Sequence, residues 1–158
     1  MKSKIANLIN WGLPYCAIAA MAYLIMFPQF VSHGVILGTD SIFHFNRFYD
    51  AAKQIQQLNF SYFQSNYSFQ QSGRIINAVY GPLFAYLNGA ILGVVGTWYQ
   101  YQIVTTFIVY LLGGIGMYRL GIRVHSKRTF AIICALIYMN IGWLSRWELA
   151  QNMNAWGA

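Results

Sequence analysis

The sequence predicts an all-α integral membrane protein with about four transmembrane helices, and two observations support this prediction. Hydrophobic residues make up 58% of the 158 residues, whereas charged residues make up only 8%. A water-soluble domain carries about a quarter charged residues, because its surface must be solvated. Long uncharged stretches separate the few charges, and several are long enough to cross the ~30 Å hydrocarbon core of a bilayer. We therefore expect a multi-pass protein of a cell membrane, with the lipid bilayer around it.

Four apolar stretches are expected to form the spans. About 20 helical residues at 1.5 Å each cross the hydrocarbon core, and the first stretch has this length. We favour a retained first span over a secretory signal peptide, because the stretch is long for a signal and no clear cleavage site follows it. The uncharged stretch 75–118 is long enough for two crossings, with a break at the polar residues 96–100. The predicted spans are residues 11–30, 75–95, 99–118 and 129–145.

Residues 1–158 are expected to form a single membrane domain at the N-terminal end of a longer protein. Arg146 and Glu148 follow the fourth predicted span, and no charged tail precedes Ala158. The sequence therefore predicts a truncated chain, and it leaves open whether this part is active alone.

A polar loop, residues 31–74, follows the first span. Within it we predict an amphipathic helix over residues 40–58 that lies along the membrane interface. Asp50 is expected to be solvated or to pair with Lys53. One helix face is predicted to be apolar, with Ile42, Phe45, Tyr49, Ala52 and Ile55, and another side carries Asp40, His44 and Arg47.

The net charge is +7 at pH 7, yet its distribution argues against nucleic acid as a partner. The basic residues stand in small groups between uncharged stretches, which suits anchoring to anionic lipid headgroups. Cys16 and Cys134 lie in apolar stretches, and neither has a second cysteine or a histidine at ligand spacing. We therefore expect neither a disulfide nor a cysteine metal site.

The charges leave the membrane orientation open. Lys2 and Lys4 favour a cytoplasmic N-terminus, which places the loop 31–74 outside. With four spans, the basic turn 119–128 would then also lie outside, against the positive-inside rule. Charge alone does not choose between the two orientations.

Three residues of the predicted interfacial helix, Asp40, His44 and Arg47, are spaced so that they can converge on one ligand. A carboxylate in this position acts as a general base or binds a divalent cation such as Mg²⁺ or Mn²⁺, and an arginine holds phosphate. The same spacing fits a polar helix face that is only solvated, with Arg47 as an anchor. Arg74 precedes the second span, where its alternative role is also that of a membrane anchor.

Several short motifs resemble a family of bacterial multi-spanning membrane proteins. Gly38-Thr39-Asp40 is followed by Phe43-His44 and Arg47, just after the first span. The further motifs, in the same order, are Tyr80-Gly81-Pro82-Leu83-Phe84, Gly113-Gly114-Ile115-Gly116-Met117-Tyr118 and Arg146. These elements are similar to those of GT-C glycosyltransferases, including proteins often labelled as membrane proteins related to 6-pyruvoyl-tetrahydropterin synthase.

The resemblance implies a function and a role for each loop residue. Such enzymes transfer a sugar from a polyprenyl-phosphate carrier, here to a cell-envelope glycan at the bacterial plasma membrane. Asp40 would be the catalytic acid of the first outward-facing loop, deprotonating an acceptor hydroxyl or helping to hold a divalent cation. Arg47 or Arg74 would hold the lipid phosphate, and His44 would orient the acceptor or the sugar. The resemblance also favours the orientation with this loop outside.

Two other functions stay open. A transporter or flippase usually carries ionisable residues near the membrane midplane, whereas the middles of the four predicted spans have none of Asp, Glu, Lys and Arg. A non-catalytic membrane subunit would pack on a partner through glycine faces, which are Gly89 with Gly93, and Gly113, Gly114 and Gly116.

Overall fold

The computed structural model describes residues 2–38, 40–124 and 127–141, with side chains from Gly12 onward. These residues form helices and connecting segments without a strand, which confirms the predicted all-helical fold. An isolated β-bridge joins Ser65 to Arg74. The helices are α1 (Lys2–Ser32), α2 (Ser41–Gln57), α3 (Asn77–Tyr80), α4 (Pro82–Val95), α5 (Trp98–Arg123) and α6 (Arg128–Met139), with a 3₁₀ turn at Phe69–Gln71. The predictions for Arg146 and Glu148, and for the end of the span 129–145, lie outside the described residues.

Two helices are long and apolar enough to cross a membrane by length and composition, namely Gly12–Ser32 within α1 and the whole of α5. They coincide with the predicted spans 11–30 and 99–118. α4 has 14 residues and α6 has 12. At 1.5 Å per residue each is about 20 Å long, which is short of the ~30 Å hydrocarbon core. The total of about four spans therefore stays a prediction.

The predicted span 75–95 is interrupted at Gly81. This glycine has φ 73° and ψ 130°, a conformation that residues with a β-carbon rarely adopt, and it separates α3 from α4. Pro82 follows in the first turn of α4, where proline costs no helical hydrogen bond. At its other end α4 stops at Gly96, which has φ 81° and donates its N–H to the carbonyl of Leu92 over 2.9 Å.

The chain divides into two compact units. Unit 1 contains residues 1–34 and 103–158, and unit 2 contains residues 35–102. The helices of unit 1 pack through a buried cluster of apolar and aromatic side chains, and the polar side chains of Gln29, Thr105 and Thr106 are buried in the same unit. This cluster consists of Ile18, Ala22, Met26, Tyr110, Tyr118, Ala131, Ala135 and Met139.

Contacts within unit 1 show that α1 and α5 are antiparallel. The rings of Tyr15 and Tyr118 meet edge to face, with their centroids 5.7 Å apart. A β-carbon added to Gly114 would lie 2.6 Å from Cγ2 of Ile18, so α1 packs directly on this glycine of α5. Residue numbers thus rise along α1 while they fall along α5. The start of the apolar part of α1 therefore lies beside the end of α5.

α6 returns along α5. A β-carbon on Gly121 would lie 2.8 Å from the Cβ of Ala131, and one on Gly114 would lie 2.7 Å from the sulfur of Met139. Gly114 therefore packs closely against two helices of the same chain. Arg119 and Arg123 of α5 and Arg128 at the start of α6 consequently lie at the same end of unit 1 as Tyr15.

Unit 2 is built on the packing of α2 against α4. A β-carbon on Gly89 would lie 2.8 Å from both the Cβ of Ala51 and the backbone nitrogen of Ala52, so the two helices approach closely at this glycine. Gln102 links the two ends of the unit, because its amide accepts the N–H of Ile36 at 2.8 Å and donates to the carbonyl of Ile36 at 2.7 Å.

α2 occupies the predicted range to within one residue at each end, but the side chains of its predicted apolar face are not all buried in the protein. Ile42 is 62% exposed and Tyr49 is 41% exposed. The helix instead buries small residues that allow the close contact with α4, together with polar residues that bond to the following loop. The buried set is Ser41, Phe45, Arg47, Phe48, Asp50, Ala51, Ala52 and Gln54.

Candidate functional site

Asp50 holds the loop after α2 in place and is completely buried. Its Oδ1 accepts the backbone N–H groups of Tyr67 at 2.6 Å and Ser68 at 3.1 Å, and its Oδ2 accepts a hydrogen bond from Nε2 of Gln54 at 2.6 Å. The prediction that Asp50 is solvated or paired with Lys53 is therefore wrong. The reason is that the loop folds back and supplies the N–H donors that a buried carboxylate requires.

Gln54 extends this network by one turn of α2. Its Nε2 also donates to the carbonyl of Gln64 at 3.0 Å, while its Oε1 accepts the N–H of Ser61 at 2.7 Å and the hydroxyl of Tyr86 on α4. A buried polar network with these partners satisfied makes the surrounding structure rigid. The loop is consequently a fixed part of unit 2.

Arg47 lies at the centre of the candidate site and is 1% exposed. Its Nε donates to Oδ1 of Asn77 at 3.0 Å, its Nη2 donates to the carbonyl of Gly81 at 3.2 Å, and its guanidinium lies 4.9 Å from the ring centroid of Tyr80. Its Nη1 is 3.1 Å from Nδ1 of His44. Arg47 therefore joins α2 to α3 and to the break before α4, which does not fit a surface anchor.

His44 is held as a neutral imidazole. Burial lowers the pKa of His44 from its ordinary value of 6.5, the positive charge of Arg47 lowers it further, and Asp40 raises it. A guanidinium can only donate hydrogen bonds, so Nδ1 of His44 is the acceptor and the ring proton lies on Nε2. His44 can therefore offer an N–H group to a ligand through Nε2.

Asp40 stands at the start of α2 and is exposed. Its side chain makes no capping hydrogen bond, whereas its backbone carbonyl accepts the N–H of His44 at 3.1 Å. The carboxylate is therefore accessible to a ligand, one helical turn from the imidazole.

The 3₁₀ turn that follows the Asp50 anchor has a left-handed backbone. Phe69, Gln70 and Gln71 have φ values of 49°, 60° and 58°. Residues with a β-carbon pay about 1 kcal/mol each for this conformation. The turn is fixed on both sides, by the bond of Ser68 to Asp50 and by the bridge to Arg74. Backbone strain of this kind is concentrated at functional sites.

Aromatic rings connect Arg74 to His44. The exposed guanidinium of Arg74 lies 5.7 Å from the ring centroid of Phe69, which is 5.7 Å from that of Phe43. The ring of Phe43 in turn lies 5.2 Å from His44 and 5.3 Å from Tyr80. The structure thus places Arg74 on the same aromatic surface as His44 without direct contact between them.

Unit 2 also contains a cavity of about 470 Å³, a volume within the range of small-molecule sites. Its walls combine aromatic rings with polar loop groups. Two of its lining residues, Ile75 and Ala78, directly follow Arg74 and Asn77 in the chain. The segment that contributes to the cavity therefore also contains Asn77, which accepts a hydrogen bond from Arg47. The lining residues are Ser61, Tyr62, Phe63, Gln64, Ile75 and Ala78.

The donor atoms of this site fit a protein-held divalent cation poorly. Within the described ranges, no three His, Cys, Asp or Glu side chains are grouped so that they could hold a metal ion. Asp40 offers one carboxylate, while His44 uses Nδ1 for Arg47 and carries its proton on Nε2. Mg²⁺ or Mn²⁺ here would have to take most of its ligands from water and a donor phosphate.

The chain matches no protein-family model, no curated protein and no solved structure. Its function is therefore inferred from the residues and their geometry.

The structure brings together part of the predicted site. His44 and Arg47 are in contact, Asp40 lies one turn away, and Arg74 joins them only through aromatic rings. The sequence reasoning misses Asp50 as an anchor, together with its partner Gln54. The spacing of these two residues by four is itself a signal, because an aspartate and a glutamine at this distance on a helix can hydrogen bond.

Proposed function

We propose that the chain is part of a bacterial membrane glycosyltransferase of the GT-C type, which moves a sugar from a polyprenyl-phosphate carrier to a cell-envelope glycan. The observation that carries this proposal is the exposed carboxylate of Asp40, one turn from a neutral His44 that the buried Arg47 holds in place. An accessible carboxylate beside a fixed N–H donor suits the activation of a hydroxyl group. The motif resemblance around these residues supports the same reaction class.

In the proposed reaction, Asp40 takes the proton of an acceptor hydroxyl while the hydroxyl oxygen attacks the anomeric carbon of the donor sugar. A bond forms between this oxygen and the anomeric carbon. The bond from the anomeric carbon to the phosphate oxygen breaks, and its electron pair leaves with polyprenyl phosphate. Asp40 then releases the proton to water, and its carboxylate is restored.

The neighbouring residues would bind and orient the two substrates. The Nε2–H of His44 donates a hydrogen bond to an oxygen of the acceptor or the sugar. Arg74 is exposed, so its guanidinium is available for the lipid phosphate. Arg47 has bonds to Asn77, Gly81 and His44, so it acts as a positioning residue and not as the phosphate ligand.

The membrane part of the proposal is a multi-pass arrangement with the N-terminus in the cytoplasm. Because α1 and α5 are antiparallel, the start of α1 lies at the same end of unit 1 as Arg119 and Arg123 of α5. If the start of α1 and the end of α5 both lie in the cytoplasm, the basic residues near them satisfy the positive-inside rule. A crossing by α4 would put the end of α5 on the outer side, against this rule. We therefore propose that α1, α5 and the stretch 129–145 cross the membrane, and that residues 35–97 lie on the outer side.

A strain that carries Asp40→Asn in the full-length protein tests the proposed function. Mass spectrometry of its envelope polymers is expected to show the loss of one sugar, as in a strain without the gene. Lys53→Gln is the matched control, because Lys53 also lies on α2 but makes no contact with the site residues named above, and it should keep the wild-type profile. An unchanged profile in the Asp40→Asn strain, at normal protein level, would contradict the proposal.

A further inference from the structure

We propose that unit 1 contains a binding site for a phosphate anion, separate from the candidate site in unit 2. A cavity of about 370 Å³ opens where the start of α1, the end of α5 and the start of α6 meet. Each of the three helices contributes to its wall. The lining residues are Tyr15, Tyr118, Arg119, Ile122, Arg123 and Arg128.

The charge of this cavity fits an anion. Arg119, Arg123 and Arg128 bring three guanidinium groups to one cavity. Every charged side chain among the described residues that line the cavity is an arginine, so the lining is cationic. Guanidinium groups match the oxygens of phosphate in geometry and bind them with two parallel hydrogen bonds.

The other walls give the cavity an apolar side. Tyr118 is 6% exposed and meets the ring of Tyr15 edge to face, while Ile122 is 39% exposed. A cationic rim next to an aromatic and aliphatic wall fits a phosphate that carries a hydrocarbon group. Basic pockets of this type between transmembrane helices bind anionic lipid headgroups.

The position of the cavity along the helices also fits an anionic lipid headgroup. Tyr15 lies near the start of the apolar segment Gly12–Ser32, Arg119 and Arg123 lie in the last two turns of α5, and Arg128 begins α6. When these helices span a bilayer, both ends are at the depth of the lipid headgroups. We therefore assign the site to the phosphate of an anionic phospholipid in the cytoplasmic leaflet. This assignment rests on the membrane placement proposed above and is independent of sugar transfer.

Native mass spectrometry of the full-length protein tests the site. The protein is released from nanodiscs that contain phosphatidylcholine and phosphatidylglycerol, and the retained lipids are counted. The wild type is expected to retain phosphatidylglycerol. Arg119→Gln should weaken this retention roughly tenfold, because charge-assisted hydrogen bonds are lost. Lys127→Gln removes an equal charge from the same turn but outside the cavity, and it should retain the lipid like the wild type.

Arg119→Lys is the control for a folding defect at this position. It keeps the positive charge, so it should retain more phosphatidylglycerol than Arg119→Gln. Equal retention of phosphatidylglycerol by Arg119→Gln and Lys127→Gln would overturn the site.

A second experiment measures the binding of inorganic phosphate by calorimetry in nanodiscs of phosphatidylcholine alone. Phosphate binding without lipid retention would overturn the phospholipid assignment, whereas lipid retention that phosphate does not replace supports it. Sugar transfer is measured in a separate assay. Failure of the phospholipid site can therefore be distinguished from failure of the proposed glycosyltransferase function.

Discussion

Nδ1 of His44 lies 3.1 Å from Nη1 of Arg47, and this contact sets both the orientation and the proton position of the imidazole. Because the arginine is buried and cannot act as an acceptor, the histidine must accept at Nδ1. A histidine fixed in this way is a hydrogen-bond donor through Nε2. The general base of the proposed reaction is therefore the neighbouring carboxylate of Asp40.

The lowered pKa of His44 predicts that the protein loses stability in acid. The unfolded chain binds a proton at His44 near pH 6.5, whereas burial and Arg47 keep the folded imidazole neutral to a lower pH. The unfolded state thus holds more protons between these two pKa values, and the free energy of unfolding falls as the pH decreases through this window. His44→Gln should show a shallower decrease of Tm below about pH 6.5 than the wild type. Equal pH dependence in both proteins would contradict this assignment.

The network around Asp50 predicts a large loss of stability in Asp50→Asn. The side-chain oxygen of an asparagine can still accept hydrogen bonds from the backbone N–H groups of Tyr67 and Ser68. Its NH₂ group then faces Nε2 of Gln54, which is also a donor, so this hydrogen bond is lost. Loss of a buried bond to a charged group costs about 1.5–3 kcal/mol. A thermal unfolding assay in detergent should show the decrease, and limited proteolysis should show faster cleavage within residues 59–76. Asp40→Asn is the control, because this exposed side chain makes no capping bond, and it should unfold like the wild type.

The close contact of α2 with α4 predicts opposite results for two glycines on the same helix. Gly89→Ala would place a methyl group 2.8 Å from the backbone nitrogen of Ala52, which cannot move without shifting α2. Overpacking of this kind typically costs about 1–3 kcal/mol. At Gly93 the nearest atom is Nε2 of Gln56 at 3.9 Å, so Gly93→Ala should leave the Tm unchanged or slightly higher. Similar Tm values for both variants would contradict the packing described here.

The proposed membrane placement of α1 and α5 predicts that two exposed positions lie on opposite sides of the membrane. Phe63 is 55% exposed in unit 2, and Val124 is 66% exposed in the basic turn. In a background without Cys16 and Cys134, Phe63→Cys should react with an impermeant maleimide on intact cells. Val124→Cys should react only after the cells are permeabilised. Labelling of both cysteines on intact cells would indicate four crossings.

Much of the helical fold can be predicted from local sequence. The uncharged length of α1 and α5 and the helical spacing of α2 are properties of neighbouring residues, and these helices lie close to their predicted ranges. The break at Gly81 is harder to place within a long apolar stretch, although a Gly-Pro pair is a signal for it. Hydropathy alone therefore overestimates the length of the second predicted span.

The interior of the site depends on contacts that are distant along the chain. Asp50 bonds to Tyr67 and Ser68, which are 17 and 18 residues away, and Arg47 bonds to Asn77, which is 30 residues away. Helical spacing reveals only the partners within one or two turns. For this reason the spacing places His44 and Arg47 on one side of α2, where they are in contact, but it assigns Asp50 to a solvated face or to pairing with Lys53.

The catalytic role of Asp40 is tested most directly by the initial rate of sugar transfer. Membranes that contain equal amounts of full-length wild-type or Asp40→Asn protein are supplied with a polyprenyl-phosphate-linked sugar and envelope acceptor. Loss of a general base lowers a rate by about 10²–10⁴-fold, so the Asp40→Asn rate should fall at least 100-fold with an unchanged Tm. Asp40→Glu should recover part of the rate. A rate for Asp40→Asn within about twofold of the wild type would contradict the role of this carboxylate as the catalytic base.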